Sequence, residues 1–173
     1  MFRSAELAGL GRSAALRALL LGFLTAFAVG WLRLFDNPGY EASVLLGLLL
    51  PPVLALWMAL SSDGMSPRHR AYRALGLGAS TALGGLLGAW AHVLRVGPCE
   101  PLTESALYLL GPAPGMVLAA LWGATVASWL PRWGGRRGRA LRGLLALAGP
   151  WSMVAVSLGR FFTSPMVFAF DPY

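Results

Sequence analysis

The side chains of this sequence that are best suited to chemistry lie in one short stretch, at His92, Cys99, Glu100 and Glu104. Imidazole, thiolate and carboxylate groups can hold zinc, but a zinc site needs three or four such ligands in a fixed geometry. The spacing of these four residues matches no metal-ligand motif. We therefore predict no metal site and no cofactor, and we interpret His92 as an interfacial residue and Cys99 as an ordinary loop residue.

The sequence also has no recognisable catalytic motif. It contains no His-Glu-x-x-His pair, no phosphate-binding loop and no Gly-x-Ser-x-Gly turn. Ser80 and His92 are twelve residues apart, which places them roughly 120° apart around a helix and makes them a poor nucleophile and base. No apolar segment contains a carboxylate, which argues against an ion-driven transporter acting alone. The chain is predicted not to be an enzyme.

The elements that would position these residues are indicated by composition. Hydrophobic residues make up 57% of the chain, charged residues 12%, and the mean hydropathy is +0.64. About a quarter of the residues in a soluble domain are charged. The net charge of +7 could suggest nucleic-acid binding, but the charges stand in short clusters between long apolar runs. This pattern is typical of a membrane protein, and we predict no nucleic-acid partner.

Five apolar runs are each long enough to cross a hydrocarbon core of ~30 Å as a helix. The predicted fold is an all-α, polytopic membrane helix bundle that forms one domain, 1–173. The first run contains Ala26-Phe27-Ala28, a small-x-small pattern that could mark signal-peptide cleavage, but its apolar residues continue through Leu32 and favour a retained helix. The predicted helices are 15–32, 42–60, 74–94, 106–130 and 143–159, with 160–173 as an interfacial tail.

The arginines predict the orientation of the bundle. All fourteen basic residues are arginines, and eleven fall on one side of the five segments against three on the other. Cytoplasmic loops keep the excess of basic residues. We therefore predict a cytoplasmic N-terminus, an external C-terminus and a multi-pass location in the cell inner membrane. The lipid bilayer is the expected partner, with anionic headgroups bound at the arginine-rich cytoplasmic loops.

The three external arginines, Arg33, Arg95 and Arg160, each follow an outward-running helix. One interpretation is a charged ring that contacts an anionic lipid or substrate. The other is that each side chain reaches the membrane interface by itself and forms loose ion pairs of ~0–1 kcal/mol.

The third predicted helix has small residues at four-residue spacing: Gly76, Ser80, Gly84 and Gly88. Such a row lets the backbones of two membrane helices approach closely. We predict that this row packs against another helix and that the third helix is the most enclosed helix of the bundle.

Proline and glycine interrupt three of the predicted helices. Pro51-Pro52 and Pro150 are expected to kink the second and fifth helices. The stretch Gly111-Pro112-Ala113-Pro114-Gly115 is expected to break the fourth. A broken helix can form a substrate site, so Gly111, Pro112, Pro114 and Gly115 are candidate contacts for a substrate or lipid. A re-entrant corner or a short interfacial helix over 104–110 is the alternative.

Two segments carry a resemblance to known proteins. Asn37-Pro38-Gly39-Tyr40-Glu41 follows the first helix, and Arg160-Phe161-Phe162-Thr163-Ser164-Pro165 through Asp171-Pro172-Tyr173 closes the sequence. With Cys99-Glu100-Pro101 they resemble the N-terminal membrane region of large, uncharacterised bacterial membrane proteins, some of which continue into a gluzincin-type metallopeptidase domain. The chain lacks that domain's metal-binding motif, so the resemblance implies an anchoring module and no catalytic residue.

The sequence thus favours a membrane-embedded structural or anchoring module that works with a membrane protein partner or a covalent downstream domain. A transporter or permease component with a site near the broken fourth helix is the alternative, and a small intramembrane enzyme is disfavoured. The apolar stretch Phe161–Phe170 near the end of the sequence predicts that residue 173 is not the natural end of an independent protein.

Overall fold

The computed structural model describes residues 2–32, 40–97, 101–130 and 135–163, and side chains over 12–32, 41–95, 97, 102–130, 136–156 and 159. These residues form helices and no strands, which confirms the predicted all-α class. The six helices are α1 (Phe2–Val29), α2 (Tyr40–Ser61), α3 (Pro67–Val96), α4 (Pro101–Leu110), α5 (Pro112–Trp129) and α6 (Gly135–Thr163).

Four segments within the described residues are long and apolar enough to cross a membrane. They are Arg12–Val29, Glu41–Ser61, Pro67–Arg95 and Leu102–Trp129, the last of which joins α4 and α5. They correspond to the first four predicted spans. The fifth predicted span, 143–159, lies within α6, and a fifth crossing remains a prediction.

Local sequence signals explain where these helices start and stop. Ser66 caps α3, because its hydroxyl accepts the His69 amide at 3.3 Å and Pro67 occupies the first turn. Gly97 ends α3 with a φ of 86°, a conformation that favours glycine. At Gly111 the backbone leaves the helical region, and α5 resumes at once with Pro112.

The predicted interruption of the fourth helix is therefore limited to Gly111, because Pro112, Pro114 and Gly115 form the first turn of α5. Proline fits a first turn, where an amide hydrogen has no helical acceptor. α2 remains one helix across Pro51-Pro52, and α6 remains one helix across Pro150.

α3 packs most extensively against α1, and α2 against α5. The buried share of the candidate span is 50% in α2 and 39% in α3. The prediction that the third helix is the most enclosed is therefore wrong. The glycines of α3 bring it close to α1, but they leave its opposite side exposed, at Leu75, Leu83 and Leu87.

The bundle has two ends that the described helices define. At the Asp63 end, α2 finishes and α3 begins; at the Ser43 end, α2 begins and α3 finishes. Arginines close the Asp63 end: Arg73 donates to the Ser61 carbonyl oxygen and Arg70 to that of Met65, both at 3.1 Å. A cation at the C-terminus of a helix is favourable because the last carbonyl groups carry partial negative charge.

Candidate functional site

A small space, here called the chamber, lies between four helices near the Ser43 end. Its volume is about 30 Å³, and it contains most of the buried polar side chains at this end. Its polar lining side chains come from α2, α3 and α4: Ser43, Trp90, His92, Glu104, Ser105 and Tyr108.

Glu104 is the buried carboxylate of the chamber, with 9% of its surface exposed. Glu104 and Tyr108 are four residues apart in α4 and so share the helix face that points into the bundle. The Oε2 atom of Glu104 has no hydrogen-bond partner among the described residues. The expectation that the interior of the bundle holds no carboxylate is therefore wrong: Glu104, expected in a loop, belongs to α4.

His92 lines the chamber from α3 and is 1% exposed, so it is buried within the bundle. Its expected position at the membrane interface stays a prediction. Gly30 of α1 makes room for its imidazole ring, because a Cβ atom at Gly30 would overlap with the ring. The position of His92 therefore depends on a small residue in another helix.

Hydrogen bonds fix the aromatic side chains of the chamber. The Tyr108 hydroxyl donates to the Ala82 carbonyl oxygen at 2.9 Å, and Trp90 Nε1 donates to Ser105 Oγ at 3.2 Å. Both bonds join α3 to α4, so they link the two helices at these points.

A metal cluster is not formed by the described His, Cys, Asp and Glu side chains. Cys99 and Glu100 lie outside the described residues. Two of the four candidate metal ligands, His92 and Glu104, therefore line the same chamber, and the described residues add no third His, Cys, Asp or Glu there.

The small-residue row of α3 divides into two parts. Gly84 and Gly88 lie against α1, where a Cβ atom would overlap with the carbonyl oxygens of Leu19 and Phe23 respectively. We call this contact the seam. Gly76 faces open space, and Ser80 is half-buried. The seam therefore uses only the second half of the row.

An open space of about 1090 Å³, here called the cleft, lies between α2, α5 and α6. All three interrupted regions of the sequence line it, at Pro51-Pro52, at Gly111 and Gly115, and at Pro150. Pro112 faces Gly47 of α2, 3.7 Å from a Cβ built there, and Pro114 is exposed. The cleft is thus where the predicted break and both predicted kinks come together.

Polar side chains are few among the described residues that line the cleft, and none of those residues is charged. Thr125 donates to the Leu121 carbonyl oxygen at 2.9 Å, Ser152 to that of Gly149 at 2.8 Å, and Trp122 to that of Leu145 at 3.0 Å. These three side chains already use their donors within the bundle. The cleft is therefore suited to an apolar occupant.

The predicted ring of arginines is only partly described, because the side chains of Arg33 and Arg160 lie outside the described residues. The guanidinium of Arg95 lies 4.3 Å from the centre of the Trp31 ring, and both residues are exposed. This cation–π contact fits an arginine at a membrane interface.

Three features were missed in the sequence. α1 has its own row of small residues at four-residue spacing, and the row is buried: Ala14, Ala18, Gly22, Ala26 and Gly30. The same search that found the row in α3 could have found this one. The burial of Glu104 had no comparable signal, and neither did the 2.5 Å ion pair between Asp63 and the buried Arg142, 79 residues away.

Comparison with known proteins does not extend this description: no protein-family model, no curated protein and no solved structure matches the chain.

Proposed function

We propose that the chain crosses the cell inner membrane five times, with the Asp63 end in the cytoplasm. The arginines at that end support this orientation under the positive-inside rule. The pair between Asp63 and Arg142 supports the crossing count, because it brings the start of α6 to the end where α3 starts. The exposed arginines there, at positions 68, 136, 137 and 139, are suited to anionic lipid headgroups.

Thiol labelling of intact cells tests the orientation. A membrane-impermeant maleimide is expected to label the native Cys99 from outside. Ser66→Cys, made together with Cys99→Ser, is the control at the other end and should be labelled only after permeabilisation. The reverse pattern would contradict the proposed topology.

We propose that the chain is a structural or anchoring module that holds a transmembrane helix of a partner protein in the cleft. The observation that carries this proposal is that Gly47 and Gly115 line the cleft and have, among the described residues, only a proline ring at van der Waals distance and no helix backbone packed closely against them. A Cβ atom at Gly47 or Gly115 would lie no closer than 3.7 Å or 3.8 Å to another residue, in each case a proline ring of the cleft wall. Small residues in membrane helices allow a second helix to approach closely.

Backbone chemistry supports a helix as the occupant. Pro51 and Pro52 have no amide hydrogen, so the carbonyl groups of Gly47 and Leu48 lose their usual helical donors. Gly47 and Leu48 both line the cleft. The Cα–H groups of a closely packed helix donate weakly to carbonyl oxygens, and a lipid chain needs neither the small residues nor the freed carbonyls.

A transporter component is the second candidate, and the buried Glu104 favours it. A carboxylate inside a membrane bundle is costly and often belongs to an ion pathway. Glu104 lies in the chamber, however, and not at the broken helix near Gly111 and Gly115. A polar substrate in the cleft would meet side chains whose donors are already used.

Photocrosslinking tests the occupant of the cleft. p-Benzoylphenylalanine at position 118 replaces a leucine that lines the cleft and is 54% exposed; position 83 of α3, 50% exposed and outside the cleft, is the matched control. We expect position 118 to give an adduct whose peptides map to an apolar helical segment of one partner, and position 83 to give lipid adducts only. Lipid adducts alone at position 118 would overturn the proposal, and adducts between two copies of this chain would replace the partner protein by a second copy.

A further inference from the structure

The chamber is large enough for one species of about the size of water. A water molecule requires roughly 10–15 Å³ of such space and two to four polar neighbours, and the chamber measures about 30 Å³. Ala42 and Ser43 belong to the first turn of α2, and His92 lies in the last two turns of α3. The chamber is therefore close to the Ser43 end of the bundle, where the path to bulk water is shortest.

The carboxylate of Glu104 requires that a species bound in the chamber supply hydrogen bonds or positive charge. A buried carboxylate is costly unless hydrogen bonds or an opposite charge compensate it, and Glu104 Oε2 has no partner among the described residues. α1 contributes only Ala26 and Gly30 to the chamber lining, so it offers no charge there.

The other charged and titratable groups around Glu104 are few. His92 of α3 and Tyr108 of α4 face the chamber. Glu41 of α2 and Arg95 of α3, on adjoining turns, are exposed, and Arg95 lies over the Trp31 ring.

The donor atoms indicate the chemical class of the ligand. The chamber offers a carboxylate oxygen of Glu104 and the hydroxyl oxygens of Ser43 and Tyr108. The Tyr108 hydroxyl donates to Ala82, so its lone pairs remain available. Oxygen ligands suit hard cations such as sodium, and a single carboxylate balances a single positive charge.

We propose that the chamber binds one monovalent cation of sodium-like size, with Glu104 Oε2 as its charged ligand and the hydroxyl groups of Ser43 and Tyr108 as neutral oxygen ligands. The site is separate from the cleft and does not depend on what occupies the cleft. It would make the attachment of α4 to the bundle dependent on the cation, because Glu104 and Tyr108 both belong to α4.

Thermal unfolding of the purified chain in detergent tests the site. Sodium chloride is compared with N-methylglucamine chloride at constant ionic strength, because a ligand that binds only the folded state stabilises it in proportion to the logarithm of its concentration. We expect sodium to raise the Tm by a few degrees at about 100-fold excess over Kd. Glu104→Gln should remove this rise, and the exposed control Glu41→Gln should retain it.

A second measurement keeps the proposal testable if Glu104→Gln does not fold. Ser43→Ala removes one hydroxyl ligand and should shift the sodium dependence to higher concentration. A hydrophobic carbodiimide, which modifies carboxyl groups in apolar surroundings, should label Glu104 in the folded protein, and bound sodium should protect it and slow that labelling about tenfold. A Tm that sodium, potassium and ammonium chloride leave unchanged would overturn the proposal, as would labelling that responds to pH but to none of these cations, since a proton would then be the ligand.

Discussion

Two glycine-containing regions of the bundle, the seam and the cleft, have opposite surroundings. In the seam, Gly84 and Gly88 of α3 lie directly against the backbone of α1. In the cleft, Gly47 of α2 and Gly115 of α5 have only proline rings at van der Waals distance. Both regions have the small residues that close helix packing requires. Of the two, only the seam has another helix of the described residues packed directly against its glycines.

This difference shows that a row of small residues permits close helix packing but does not by itself show that a second helix is packed there. In the seam the second helix is α1, whose own buried small residues pack against those of α3. In the cleft the three described walls are in place and a fourth helix is absent from the described residues. We therefore infer that the cleft is an interface and that the seam belongs to the core of the fold.

The largest expected effect comes from filling the seam. Gly84→Leu should cost about 3 kcal/mol or more, because the new side chain would collide with the Leu19 backbone, which cannot move aside as a flexible side chain can. Gly76→Leu is the control on the same helix and should be tolerated, since nothing lies within 4 Å of a Cβ built there. Thermal unfolding in detergent measures both, and a wild-type Tm for Gly84→Leu would place the seam outside the core.

A smaller effect is expected where α6, the third wall of the cleft, is attached. Asp63→Asn leaves Arg142, 3% exposed, without its carboxylate partner. The loss should be about 1–2 kcal/mol, below that of a fully buried pair, because the Asp63 side chain is 57% exposed. A double-mutant cycle with Arg142→Met measures the coupling by thermal unfolding. If the two losses simply add, the ion pair does not hold α6 in place.

The smallest effect is expected on the side of α3 that faces α4. Tyr108→Phe removes the hydroxyl that donates to Ala82 and should cost about 1 kcal/mol. Tyr72→Phe, at a side chain that is 61% exposed, should cost nothing measurable. Equal Tm values for the two variants would mean that the bond between α4 and α3 does not stabilise the bundle.

The sequence was sufficient for the class of fold and for part of the packing. Apolar runs of membrane length predicted the all-helical architecture, and glycine spacing drew attention to Gly84 and Gly88. The row could not reveal that Gly76 faces open space, because four-residue spacing drifts around the helix and the partner helix follows only part of it. A short interfacial helix over 104–110 is one of the alternatives predicted from the sequence, and in the structure α4 starts at Pro101; that the helix turns the Glu104 carboxylate inward was not predictable.

The cleft was the least predictable feature, since it depends on three helices that are distant in sequence. Pro51-Pro52, Gly111 and Pro150 each indicated a local interruption. Their convergence on one space is a tertiary property that no local pattern encodes.

The most direct test of the proposed interface compares crosslinking from position 118 with and without Gly115→Leu. The added side chain enters the cleft without a close backbone contact, because the nearest atom to a Cβ at Gly115 is a Pro51 ring carbon at 3.8 Å. We predict that Gly115→Leu keeps the purified chain folded, with a Tm near that of wild type, and abolishes the partner adduct at position 118. A folded Gly115→Leu chain that still forms the adduct at full yield would contradict the account, because the partner helix would then lie outside the cleft.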